Sequence, residues 1–204
     1  MNAIGVFADL LKNRISPFLR EKGFRGSRQL FIGQFGQNWG MVQFQKSAYG
    51  TKDAVRFTIN VGVCSNRLRS FFRPGRVGSP KSVYECHWYE RVGWLLPEHQ
   101  DTWWDVTAMT TPDDFAESIK HILSDIAIPT IMKFCADENL RDLWMNKLHT
   151  ATLESDRLMY LSVLFKAIGP KELLQPALDE LVVLRKNDVI AREHVEALGK
   201  KMSG

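Results

Sequence analysis

Cysteine is scarce in this chain, with three in 204 residues, Cys64, Cys86 and Cys135. They are odd in number and lack the close spacing of a metal site or a disulfide framework, so they read as reduced thiols of a cytoplasmic protein. Long apolar runs are missing too. Nothing approaches the ~20 residues that cross a bilayer, so no membrane partner is expected. The first residues reach Asp9 with no basic leader and do not read as a secretion signal. Phosphate-cradling glycine motifs and a GxSxG elbow are also absent. His87, His99, His121, His149 and His194 never fall three or four apart, and neither HExxH nor CxxC occurs. Neither a metal nor a cofactor is therefore expected. Cys86 and His87 are adjacent on a strand pattern, so their side chains take opposite faces and cannot share an ion. Acidic residues are wanting in one place above all. Between Ala54 and Tyr84 stand Arg56, Arg67, Arg69, Arg73, Arg76 and Lys81 with no Asp or Glu among them.

What is present is globular. Hydrophobic residues make up 45% and charged residues 25%, and six tryptophans supply area for a core. Charge divides unevenly: residues 1–100 hold 15 Lys and Arg against 6 Asp and Glu, and residues 101–204 hold 12 against 17. The basic half implies an anionic partner: nucleic acid, a phosphorylated ligand, an acidic protein, or the chain's own acidic half.

Ile4, Phe7, Leu11, Ile15 and Phe18 recur at helical spacing and predict an N-terminal helix closing before Gly23, with Pro17 kinking it or ending it early. From Phe24 the period becomes two. Val55, Phe57, Ile59, Val61 and Val63 alternate with Arg56, Thr58, Asn60 and Gly62, predicting a half-buried strand. Gln29–Phe35 and Met41–Ser47 predict a hairpin, and Glu85–Leu95 and Trp103–Ala108 predict further strands of an antiparallel meander of four or five. Trp88, Trp94 and Trp104 share strand phase with Val92 and Val106 and are expected in the core. Asn66–Ser82, rich in Arg, Gly, Pro and Ser, reads as a long irregular loop. The helical period returns at Thr111, and the first stripe stops before Pro129. Helices are then expected over Ile131–Lys147, Leu153–Ile168, Lys171–Lys186 and Val189–Lys201, with Gly169-Pro170 turning an αα-hairpin. The fold class is α+β: a helix, an antiparallel sheet and a helical C-terminal half. The expected division is an α+β core over 1–150 and a C-terminal helical hairpin extension over 151–204, packed on that core.

Three chemistries compete. On a sheet with helices on one side, Gln45, Arg56, Asn60 and Arg91 line the open polar face, while Arg67, Arg69, Phe71, Phe72, Arg73 and Arg76 belong to the basic loop. Arg-flanked aromatics are good protein-binding anchors. These ten residues are the expected partner-binding set. The same basic loop also suits nucleic acid, although RNP-type aromatics are missing. A small hydrolase would need Glu90 with Arg56 or Arg91, or Cys64 with His87, as its working pair.

Gly23-Phe24-Arg25, Val42-Gln43-Phe44-Gln45-Lys46-Ser47, Phe57-Thr58-Ile59-Asn60-Val61-Gly62-Val63, Glu90-Arg91-Val92-Gly93 and then Trp103-Trp104 form an ordered series. In that order and spacing, about residues 5–125 resemble the bacterial family DUF4304. The resemblance implies the fold and a bacterial cytoplasmic origin and brings no catalytic residues. Proteins of this size and class resemble immunity proteins, which neutralise toxins by binding them. The expectation is a non-enzymatic binding module, of immunity or antitoxin type, for a protein partner with an acidic surface.

Overall fold

The computed structural model describes the chain except residues 52, 76, 77, 149–151, 186–194, 198 and 201–204. The chain forms two compact units, one of Met1–Asn66 with Val77–Cys135 and the other of Arg67–Arg76 with Ala136–Gly204. The sequence reading set its boundary at 150. The expected site residue Arg76 lies outside the described residues, as does most of the expected helix Val189–Lys201, of which 195–197 and 199–200 are described and helical.

The first unit holds a six-stranded antiparallel sheet: β1 (Arg25–Ser27), β2 (Leu30–Phe35), β3 (Asn38–Lys46), β4 (Ala54–Cys64), β5 (Trp88–Arg91) and β6 (Trp104–Thr107). β1 to β4 form the expected meander. Gly36, at φ +61, supplies the left-handed position of the two-residue turn between β2 and β3. The meander continues to β5, and only β6 departs from it, by returning to β4. β5 pairs with Asn60–Val63 and β6 with Ala54–Phe57, both antiparallel, while β3 takes the opposite edge. β5 and β6 therefore lie end to end along one edge of β4, as a single strand broken by an excursion over residues 92–103. Its first turn, Val92–Trp94, is a 3-10 helix. This takes Trp94 out of strand phase and leaves it 47% exposed. Expected in the core, it is on the surface. Trp88 is buried against Phe134 and Trp104 stacks on Phe57, as their phase implied.

One face of the sheet carries the main core, with Phe31, Val42, Phe44, Phe57, Ile59, Val61 and Val63 all fully buried. Helices cover it. α1 (Ala3–Asp9) sets Phe7 on Phe57, α4 (Pro112–Ile122) adds Phe115, and α5 (Ile128–Phe134) lies on Gly40, where a Cβ would sit 2.3 Å from Ile131.

Prolines at 17 and 129 were expected to interrupt helices. Neither does. A π turn, Leu10–Ile15, joins α1 to α2 (Ser16–Glu21), and a second, Leu123–Ala127, joins α4 to α5. Each ends two residues before its proline. Proline lacks an N–H and collides with the carbonyl four residues back, and a turn widened to five residues relieves both conflicts.

Asn66–Ser82, expected as an irregular loop, begins with a helix, α3 (Asn66–Phe72). In the second unit follow α6 (Asp137–Met145), α7 (Glu154–Ile168) and α8 (Leu174–Leu184). α7 ends at Gly169, at φ +72, and packs on α8 as the expected hairpin. Arg141 donates to the carbonyls of Ile168 and Gly169, which α7's own ladder leaves without partners.

Candidate functional site

The second face of the sheet, expected to be open and wet, is covered in part. Strand alternation sends Arg56, Thr58, Asn60, Gly62 and Cys64 to it, with Met41, Gln43 and Gln45 opposite on β3. At the Cys64 end a small apolar cluster forms from Met41, Cys64, Val83 and Cys86, flanked by Leu30, Ile32 and Trp39. Gly62 admits it, since a Cβ there would lie 2.8 Å from the Cys86 sulfur. Thr58 and Asn60 are buried, against the expectation. Thr58 Oγ1 donates to the Thr102 carbonyl at 2.9 Å, so the excursion itself closes over the middle of β4. Asn60 Nδ2 donates to Gln45 Oε1 at 2.8 Å.

Between the cluster and the excursion opens a cleft of about 440 Å³, lined by Gln45, Asn60, Tyr84, Tyr89, Glu90, Arg91, Trp94 and Asp101 among others. Its rim is aromatic. Tyr84 is 71% exposed and Tyr89 38%, with the two rings edge to face at 6.2 Å, and Trp94 stands beside them. Its floor is polar. Arg91 makes an ion pair with Asp101 at 2.6 Å, and Trp103 Nε1 donates to the same carboxylate at 3.0 Å. The guanidiniums of Arg56 and Arg91 lie 5.9 and 5.2 Å from the Trp103 ring. Burial pushes the Asp101 carboxyl up, and the hydrogen bonds from Arg91 and Trp103 outweigh it, so it titrates below the ordinary carboxylate value. This network fastens the two ends of the excursion where the edge strand is broken.

Of the ten expected residues, the structure brings Gln45, Asn60 and Arg91 into this cleft and leaves Arg56 exposed beside Trp103. The basic stretch belongs to the other unit and is not a loop of free arginines. Arg67 pairs with Asp137 at 2.9 Å, Arg69 is buried, and Phe71 and Phe72 are half-buried, edge to face with each other and with Phe72 against Tyr160. Arg67 and Arg73 are exposed, and of these two only Arg67 is shown in an ion pair. A helix buries one side of itself, which is why Leu68 and Arg69 turn inward while Arg67, Ser70 and Arg73 stay exposed.

Several members of the expected enzymatic pairs have partners of their own. Arg91's carboxylate partner is Asp101, while Glu90 Oε1 accepts from the Arg91 backbone N–H at 3.0 Å. His87 Nδ1 accepts from the Ser65 N–H at 3.1 Å, which fixes that nitrogen as unprotonated. Among the described residues no group of three or more His, Cys, Asp or Glu is placed to hold a metal ion, and no helix is long and apolar enough to cross a membrane. Tyr84, Tyr89, Trp94 and Asp101 were missed from the sequence as site residues. The one signal for them was the turn-rich Pro97–Asp101 segment, which marked where strand phase would be lost.

A family model described as a domain of unknown function, DUF4304, matches residues 15–133. That span contains the whole sheet and every residue named in the cleft. No curated protein and no solved structure matches the chain.

Proposed function

We propose a non-enzymatic binding role for this chain, which belongs to the DUF4304 family: the aromatic-rimmed cleft on the second face of the sheet docks a protein partner. The observation that carries the reading is the convergence of exposed Tyr84, Tyr89 and Trp94 on a polar floor of Gln45, Asn60 and Arg91. Tyrosine, tryptophan and arginine are the side chains that dominate binding energy at interfaces, because they bury large area at small entropic cost and keep a polar tip to pair. The excursion bearing Trp94 is held by the Arg91–Asp101–Trp103 network, so the anchors are pre-organised and binding pays little to order them.

The role that fits is that of an immunity-type inhibitor, which neutralises a toxin by covering it. An interface of this kind buries about 1,200–2,000 Å² in total, more than the cleft itself, and exposed Arg56 beside Trp103 favours a partner with an acidic residue next to an apolar protrusion. The natural partner to test is the product of the gene adjacent to this one in its source genome, measured by titration calorimetry and by protection in co-expression. Tyr89→Ala with Trp94→Ala should weaken binding ~30-fold or more, equivalent to about 2 kcal/mol, while the thermal midpoint moves little, since both side chains are exposed. Binding that survives the double change removes the cleft as the interface, and an adjacent product that neither binds nor is neutralised removes the immunity role.

A further inference from the structure

A second concavity lies in the same unit and shares no lining residue with the cleft. It has a volume of about 640 Å³, within the ~300–1,000 Å³ of small-molecule sites, and runs between the α1–α2 helix and the turn from β1 to β2. Ile4, Phe7, Ala8 and Leu11 recur at three- and four-residue spacing along one helical stripe and make an apolar floor. Ile4 is 54% exposed, and Ala8 is exposed as well. At 1.5 Å per residue this floor is about 10 Å long.

The rim is cationic. Lys12 and Arg20 come from the helix, Arg28 from the β1–β2 turn and Lys46 from the end of β3. No Asp or Glu lines the groove, and among the described residues none of the four cations makes an ion pair. Neighbouring arginines of the same unit behave otherwise: Arg14 pairs with both Asp9 and Asp113, and Arg91 with Asp101. The rim is also fixed in place. Arg28 occupies the left-handed region at φ +59, which favours glycine, and the adjacent Gln29 is tied to Phe44 by its backbone carbonyl and its side-chain amide.

An apolar floor of this length, ringed by four cations with no counter-charge, is complementary to a molecule with one anionic head and one apolar tail. We propose that the groove binds a single medium-chain fatty-acid-class amphiphile, its tail on Ile4, Phe7, Ala8 and Leu11 and its carboxylate among Lys12, Arg20, Arg28 and Lys46. This site is independent of the protein-docking cleft.

The test is calorimetric titration of the full chain with sodium octanoate, decanoate and dodecanoate below their aggregation thresholds, with decanol and decyltrimethylammonium as controls. One amphiphile should bind per chain, tightening about two- to fourfold per added methylene up to the length of the floor. Replacing the carboxylate by trimethylammonium should cost tenfold or more. Lys12→Glu with Arg20→Glu should cut decanoate affinity at least tenfold at an unchanged thermal midpoint, because neither side chain has a partner to lose. Ala8→Trp, which fills the groove without altering charge, should abolish binding, and Tyr89→Ala with Trp94→Ala should leave it intact. Equal affinity for the cationic and anionic amphiphiles, no dependence on chain length, binding to anionic vesicles but not to monomeric decanoate, or preference for an acidic peptide over decanoate would each overturn the assignment.

Discussion

Arg157 shows how a single side chain acquires its energetics from its surroundings. Its side chain is nearly buried on α7, yet each of its three nitrogens donates to an acceptor. Both carboxylate oxygens of Glu154 accept from it at 2.6 Å, and the Trp144 carbonyl accepts at 2.9 Å. The bidentate hydrogen bonds from Arg157 hold the Glu154 carboxyl at about 2, well below its ordinary value, with Lys147 assisting and burial opposing. A carboxyl depressed in the folded state contributes stability that is fully present above its unfolded value, near 4.5, and is lost as the pH falls towards 2. The thermal midpoint of the native chain should therefore fall through that window, and Glu154→Gln should flatten the fall. At neutral pH the same variant should be less stable by about 1–2 kcal/mol, since it removes the bidentate carboxylate from a buried guanidinium, with Glu180 remaining nearby and the pair partly screened by solvent. Thermal scans from pH 2 to 7 check both outcomes. The acidic residue three before the arginine was visible in the sequence; the burial that makes the pair matter was not.

Helices in the first unit absorb proline by a common device. Periodicity located the apolar stripes of both the N-terminal helix, which ends before Gly23 as expected, and the helix from residue 112, whose end the rule that proline ends a helix misplaced. The rule assumes a uniform four-residue ladder. In both helices the turn ahead of the proline is a π turn, so the conflicting carbonyl is already displaced and the lost N–H costs nothing further. Pro17→Ala and Pro129→Ala should accordingly bring none of the ~3 kcal/mol gain expected from removing proline from a helix interior. Each should instead destabilise slightly, by about 0.4–1 kcal/mol, by loosening the unfolded chain. Urea unfolding of the two variants measures this. The edge strand opposite β4 makes the same point for the sheet. Alternation found the residues that pair, but the break between β5 and β6 depends on Thr58 meeting the Thr102 carbonyl 44 positions away, and no local pattern reports that.

For the molecule as a whole, the excess of basic residues in the first hundred positions is a fact of composition, and its meaning depends on where the charges stand. Arg14, Arg67 and Arg91 are neutralised by carboxylates, Arg69 is buried, and four cations gather around one groove. With Arg67 paired and Arg69 buried, the basic stretch presents fewer free cations to a phosphate backbone than its composition suggests. Fluorescence anisotropy with a labelled 20-base-pair duplex should show no saturable binding at ~50 mM salt. Saturable binding that weakens steeply by ~200 mM, with a slope near −0.9 per neutralised phosphate, would instead favour the nucleic-acid role over the protein-docking one.

Local periodicity alone was enough to specify the α+β class, the N-terminal helix, the first hairpin, the long central strand and the αα-hairpin. Helix and strand impose repeats of 3.6 and 2 on whichever side chains must leave water, and those repeats are written in neighbouring residues. Periodicity could assign Thr58 and Asn60 to the second face of the sheet, but not say that the face is partly closed. That followed from the excursion folding back over it, which also set Trp94 beside Tyr84 and Tyr89 at the rim of a cleft. Burial is a property of distant chain segments meeting, and a residue's neighbours in sequence carry almost no record of which segments those will be.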